Sequence, residues 1–222
     1  MNGKQIAGEK AIEYVESGML LGLGTGSTVY WSIKKLAELV KDGLDIKGVP
    51  TSLGTEKLAL ELGIPLVNLS TVDHIDLSID GADEANSNFE LIKGGGGALL
   101  REKMIASISK QFIVVIDESK YVPLLGGYPL PVEIVPFGFE LTARQVGKLG
   151  CEAKLRISKN TPFITDNGNY ILDCYFEEIQ DASALTSRLN MIPGVVENGL
   201  FIKMADTILI GAKNGTVNTL NR

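Results

Sequence analysis

Lys93 to Glu102 reads KGGGGALLRE, and shortly before it stands the acidic turn Asp80-Gly81-Ala82-Asp83-Glu84. A cation, a flexible backbone and several carboxylates thus fall within one short stretch. Glycine is costly in ordered structure, so four in a row point to a turn or to a place where backbone N–H groups come close to a ligand. The flanking carboxylates could supply proton transfer. Asp80 and Asp83 lie three apart across a tight turn, and like charges held close raise the pKa of one of them enough to exchange a proton near neutral pH. A solvated acidic turn, or a helix N-cap by Asp83, would look the same on composition alone. Glu102 sits between Arg101 and Lys103, away from the helical stripe Leu100, Met104, Ile105 and Ile108, which by itself predicts a surface residue.

A second glycine-rich segment, Gly22-Leu23-Gly24-Thr25-Gly26-Ser27-Thr28, joins an apolar strand to a helix. The first N–H groups of a helix have no partner within it, so such a loop favours an anion. A dinucleotide fingerprint would place its third glycine where Ser27 stands and an acid after the next strand, where Pro50-Thr51-Ser52 occurs. A P-loop would need lysine where Gly26 is. One phosphate held by loop N–H groups and the Ser27 and Thr28 hydroxyls fits better. The cations for it are Lys93, beside the glycines, Lys120, in DESK at a strand end, and Lys4, which has position alone in its favour. His74, the sole histidine, has no nucleophile-elbow motif beside it and is expected to be structural or exposed.

The elements that must carry these residues follow from periodicity. Apolar strands at Met19–Leu23, Ile46–Val49, Ile75–Ile79 and Phe112–Ile116 alternate with helices, one at about Ser27–Val40, one that Pro50-Thr51-Ser52 leads into and that runs through Leu62, and one at about Ala98–Ser109, the pattern of a parallel sheet with crossover helices. A further strand is expected at Leu66–Leu69. The Gly22 loop, the Asp80 turn and the Lys120 loop all follow strand carboxyl ends, where open α/β sheets collect ligands. Pro123 to Pro136, with four prolines and Gly126-Gly127, reads as a linker. Beyond it, a helix at Thr142–Leu149, strands at Ala153–Ile157 and Tyr170–Phe176 and a helix at Ala182–Met191 suit a small α+β domain, and Leu200–Ala212 is strand-like. The expected fold is therefore α/β, with a Rossmann-like parallel-sheet main domain over residues 1–125, to which 200–222 returns, and a smaller α+β domain over 126–199.

With 222 residues and 45% hydrophobic content the chain can bury a sizeable core. A net charge of −6 argues against a polyanion partner such as nucleic acid. Cys151 and Cys174 show no CxxC spacing, so buried free thiols are expected rather than a zinc site or disulfide framework. The N-terminal segment reads as a charged amphipathic helix without the apolar run of a secretory signal, and no stretch is apolar for long enough to span a bilayer. A soluble cytoplasmic protein without membrane partners is expected.

GLGTGST, DGAD at Asp80–Asp83, KGGG at Lys93–Gly96, ALLREK and DESK, with PLPVEIVP, TDNGN and IPGVVENGLF further on, resemble the A-type ribose-5-phosphate isomerases over nearly the whole chain. The resemblance implies a cofactor-free aldose–ketose isomerase of the non-oxidative pentose phosphate pathway, acting on a phosphosugar; a metal-free reaction is expected from the lack of a His/Cys cluster and from Lys93 near Asp80 and Asp83, against a rival Mg²⁺ site at Asp80, Asp83 and Glu84. It implies that Glu102 moves a proton between C1 and C2 through an enediolate, that Asp80, with Asp83, handles protons on oxygen and ring opening, and that Lys93 with the glycine N–H groups steadies the oxyanion. Thr25, Gly26, Ser27, Thr28, Asp80, Gly81, Ala82, Asp83, Lys93, Gly94, Gly95, Gly96 and Lys120 would line the substrate, with Ser27, Thr28, Lys120 and Lys4 on its phosphate. A homodimer or larger assembly is implied too. Gly97 stands where many members carry Ala, a change expected to matter little. The rival readings are a sugar-phosphate-sensing regulator without turnover and an enzyme acting on an amino-sugar phosphate. The first would be expected to carry a helix-turn-helix and the second a catalytic His, and neither is found in the matching motifs.

Overall fold

The computed structural model describes residues 2–222. In chain order its elements are α1 (Gly3–Ala11), β1 (Leu20–Leu23), α2 (Val29–Lys41), β2 (Lys47–Pro50), α3 (Leu53–Glu61), β3 (Ile75–Gly81), β4 (Glu84–Ala85), β5 (Glu90–Ile92), α4 (Leu99–Ser107) and β6 (Ser109–Asp117). There follow β7 (Leu130–Ile134), α5 (Phe139–Gly147), β8 (Glu152–Leu155), β9 (Ile157–Ser158), β10 (Thr161–Pro162), β11 (Tyr170–Tyr175), α6 (Ala182–Asn190), β12 (Val195–Asn198), β13 (Leu200–Ile202), β14 (Thr207–Gly211) and β15 (Val217–Asn221). The α/β class expected from the alternation holds. Among the described residues, no helix is long and apolar enough to cross a membrane. The chain forms two compact units, one of residues 1–82, 101–121 and 203–222, the other of 83–100 and 122–202.

The first unit is built on a six-stranded sheet in the order β15-β14-β6-β3-β1-β2. Every neighbouring pair is parallel except β14 with β15, an antiparallel edge. Strand β1 lies between β2 and β3, so the chain leaves β1 toward one edge and returns on its other side. That reversal is the switch point beside which open α/β sheets bind ligands. The amphipathic spacing of α2 buries Val29, Ile33, Leu36 and Ala37 against Leu21, Leu23, Leu77 and Ile79. Helix α1 buries only small residues, Gly3, Ala7, Gly8 and Ala11. A Cβ on Gly3 would lie 2.5 Å from the Gly211 carbonyl oxygen, so the helix lies backbone to backbone on β14, and this contact places Lys4.

The second unit holds a four-stranded antiparallel sheet, β12-β7-β11-β8, and a three-stranded one, β13-β5-β4. Its core joins Leu130, Val132 and Ile134 of β7 to Leu172 and Cys174 of β11, Val146 of α5 and Leu185 and Leu189 of α6. The linker expected over Pro123–Pro136 is overturned here, because β7 occupies its middle and all five of its residues are buried between two partners. Pro131 is only the second residue of that strand, and Pro123, Pro129 and Pro136 lie outside it, so the prolines punctuate the strand without breaking it. The strand expected at Leu66–Leu69 is reduced to a single parallel bridge between Leu66 and Gly48, followed by a tight turn at Leu69–Thr71. The strand-like stretch Leu200–Ala212 divides into β13 and β14, which belong to different sheets.

Candidate active site

In the first unit, the Gly22–Thr28 loop leaves β1 and leads into α2, whose N-cap position is Thr28. Gly24 is required where it stands, since a Cβ there would fall 2.3 Å from Asp80 Oδ1. Asp80, 1% exposed at the end of β3, accepts hydrogen bonds on that oxygen from the N–H groups of Thr25 (3.0 Å) and Gly81 (2.7 Å). Its carboxylate thus ties the two turns together. The Thr25 hydroxyl points into a cluster of hydroxyls, 2.8 Å from those of Thr51 and Ser52 and 3.0 Å from that of Thr55. Thr51 and Thr55 in turn donate to the carbonyls of Leu23 and Gly24. Pro50-Thr51-Ser52, where a dinucleotide site would carry its acid, therefore braces the glycine loop.

Ser27 is exposed, and its hydroxyl accepts a hydrogen bond from Lys4 Nζ at 3.0 Å. Thr28 is buried. Lys120 Nζ donates to the Ala82 carbonyl at 2.7 Å, bracing the end of the DGA turn. Asp117 caps the short turn Glu118–Lys120 that presents this lysine.

Glu102 departs from its expected place. It is 5% exposed, on the buried face of α4 with Leu99, Ile105 and Ala106, whereas Met104 points to solvent. Ile105 nests where Gly22 leaves room, since a Cβ on that glycine would lie 2.7 Å from Ile105 Cγ2 and 2.5 Å from the Ser78 hydroxyl. Glu102 lies one turn before this contact. Of the stripe expected from Leu100, Met104, Ile105 and Ile108, Ile105 is buried with Ile108 packed beside it, but Met104 is exposed; the buried face runs from Leu99, three residues before Glu102, to Ile105, three after, and so takes in Glu102.

In the second unit, Lys93 is 2% exposed, with Nζ 5.3 Å from the centre of the Phe201 ring, and its N–H donates to the Gly199 carbonyl. The four glycines after it form a tight turn closed by the Gly97 N–H to the Gly94 carbonyl at 2.9 Å, with φ of 103° at Gly94 and 82° at Gly97. Asp83 Oδ2 accepts from the Gly95 N–H at 2.7 Å. The fourth glycine has a local reason of its own. Position 97 has a left-handed backbone, and a Cβ on it would lie 2.5 Å from the Phe163 ring. Both Glu84 oxygens accept from the backbone, from Gly126 N–H at 2.8 Å and Tyr128 N–H at 2.6 Å, so that carboxylate clamps a loop. Burial, and after it the Asp83 carboxylate, push the Tyr128 phenol above its ordinary pKa.

His74 is exposed, 3.5 Å from Asp76 Oδ1. Both cysteines are free thiols, Cys151 half-buried and Cys174 buried. Sequence reasoning missed Thr51, Ser52, Thr55, Glu84, Tyr128 and Arg156 as supports of these loops. The Ser52-x-x-Thr55 spacing before a helix was a usable capping signal, but nothing local marked Arg156, whose partners are distant in the chain.

The first unit defines an open α/β sheet protein with a glycine-rich loop at its switch point and the buried carboxylates Asp80 and Glu102. Residues 47–215 match the family of ribose 5-phosphate isomerase A (phosphoriboisomerase A), and the chain belongs to that family. It is 55% identical to ribose-5-phosphate isomerase A of Bacillus mycoides (strain KBAB4), over 97% of this chain and 98% of that one. Among solved structures it resembles ribose 5-phosphate isomerase from Plasmodium falciparum, with a TM-score of 0.96 and 44% identity over 99% and 98% of the two chains. It resembles equally a D-ribose-5-phosphate isomerase in complex with phospho-erythronic acid, with a TM-score of 0.96 and 43% identity over the whole of both chains.

Proposed function

We propose that this chain interconverts D-ribose 5-phosphate and D-ribulose 5-phosphate in the pentose phosphate pathway, by proton transfer through an enediolate and without a cofactor. Family membership supports the reaction. The observation that supports the mechanism is the burial of Glu102, a carboxylate on the inward face of α4 beside Leu99, Ile105 and Ala106, where a positioned base is shielded from bulk water. Glu102 is assigned the transfer between C1 and C2. Asp80, already accepting two N–H groups, is assigned proton traffic on the sugar oxygens and ring opening, with Asp83 assisting. Lys93 and the N–H groups of the glycine turn beyond that of Gly95, which Asp83 takes, are assigned the developing oxyanion. Thr25, Gly26, Ser27, Thr28, Gly81, Ala82 and Lys120 are assigned to substrate binding, with the Lys4–Ser27 pair and Lys120 toward the phosphate.

A metal-free reaction is part of the proposal. Among the described residues no three His, Cys, Asp or Glu side chains gather to hold an ion, and Glu84 and Asp83 already serve backbone N–H groups. The proposal also includes a homodimer or larger assembly in the cytoplasm, which sedimentation of the purified protein and fractionation of cells would check. The deciding experiment for the function is ribulose 5-phosphate formation from ribose 5-phosphate by purified protein dialysed against EDTA. Turnover is expected; its absence would favour a sensor without chemistry, and its return only with Mg²⁺ would favour an acidic metal site.

A further inference from the structure

Arg156 follows β8 in the second unit, and no motif pointed to it. Its backbone is fixed on both sides, by its N–H to the Ile171 carbonyl and by the Phe163 N–H to its own carbonyl, each at 2.8 Å. Its guanidinium is gripped by Asp173 of β11, Nε donating to Oδ2 at 2.9 Å and Nη2 to Oδ1. The Phe163 ring covers it with a centroid distance of 5.7 Å, and the Arg156 side chain is only 14% exposed. The remaining nitrogen, Nη1, donates to two carbonyls of the glycine turn, Gly94 O at 3.0 Å and Gly95 O at 3.1 Å.

A trans peptide sets its C=O and N–H in opposite directions. Drawing the Gly94 and Gly95 carbonyls onto one nitrogen therefore turns the N–H groups of Gly95 and Gly96 away from Arg156. The first of these meets Asp83 Oδ2. Four consecutive glycines have little intrinsic preference for one such arrangement, so something outside the turn must select it. We propose that Arg156, locked by Asp173, is a positioning residue that fixes the amide directions of the Lys93–Gly97 turn and thereby aims the oxyanion donors of the isomerisation. The inference rests on the isomerase reading given above. Only a planar fork can hold a carboxylate with two nitrogens and two carbonyls with a third; an ammonium cannot, so lysine at 156 is not conservative.

The test compares wild type with Arg156→Lys and Asp173→Asn by steady-state kinetics, by inhibition with phospho-erythronic acid and with inorganic phosphate, and by amide hydrogen exchange of glycine-labelled protein. Removing an oxyanion donor outright costs about 10²–10³ in kcat. Misaiming one is expected to lower kcat by about 10- to 100-fold, with KM for ribose 5-phosphate changed by only about threefold. Affinity for phospho-erythronic acid should fall with kcat while inhibition by phosphate holds, and exchange at Gly95 and Gly96 should quicken. Unchanged kcat with a lowered melting temperature would make the pair merely structural and overturn the proposal, as would a lowered kcat with Gly95 and Gly96 exchange unaltered. Should wild type show no turnover, the isomerase reading fails by itself, and the exchange data alone decide whether Arg156 sets the turn.

Discussion

Glu102 would be an ordinary surface acid by its neighbours Arg101 and Lys103, and what sets it apart is the face of α4 it occupies. Replacing it by Gln keeps the shape and removes the proton acceptor, so kcat for ribose 5-phosphate should fall by about 10²–10⁴-fold with KM within a few-fold. Steady-state kinetics of Glu102→Gln decide this, and a retained kcat would remove the residue from its role. The two thiols offer an independent check on the second unit. The neighbouring Cys174 thiol holds the Cys151 thiol below its ordinary pKa, while Cys151, then burial, push Cys174 well above it. Thiolate is the reactive form, so iodoacetamide at pH 8 should modify Cys151 well before Cys174. Peptide mass mapping over time would show the order, and equal rates would count against the packing of β8 on β11.

The parallel strands were legible because they are short apolar runs, those of β1, β3 and β6 ending at glycine or acid, and β3 could be placed from Ile75, Leu77 and Ile79 alone. What periodicity could not give was the partner of each face. The side of α4 depends on Gly22 leaving room for Ile105, and the fate of Pro123–Pro136 depends on β11 and β12 closing over β7. At β3, Asp76 accepts the Leu20 N–H at 2.9 Å and pairs with Lys110 of β6 at 2.7 Å, joining three strands at one end of the sheet. The Leu20 N–H first, and Lys110 after it, hold its carboxyl below the usual range. A depressed folded-state pKa gives stability that is present above the unfolded value and lost as pH falls through the folded one. Asp76→Asn should therefore melt lower than wild type at pH 7, with the gap closing in acid below about pH 4. A gap unchanged with pH would deny the charge any part in it. Gly97→Ala, with its left-handed backbone and the Phe163 ring in the way, should cost about 1–3 kcal/mol in denaturant unfolding. A neutral result would mean that the turn yields.

At the scale of the molecule, the residues assigned roles above belong some to one compact unit and some to the other, each with its own core, and the chain changes unit inside the DGAD turn, inside α4, after Tyr121 and after Ile202. The supports found only in the structure, the Thr51–Ser52–Thr55 hydroxyls in one unit and Arg156 with Asp173 in the other, act on backbone rather than on a ligand; the first left a helix-capping spacing in the sequence and the second left none. The central claim is that a carboxylate of this chain moves a carbon-bound proton of ribose 5-phosphate. The most direct measurement is proton NMR of ribose 5-phosphate incubated in D₂O with wild type and with Glu102→Gln. A proton resting on a carboxyl exchanges with solvent, so wild type should yield ribulose 5-phosphate carrying deuterium at C1, and Glu102→Gln should yield it slower by the factor seen in kcat. Ribulose 5-phosphate formed at equal rates by both proteins, with no deuterium at C1, would contradict the account.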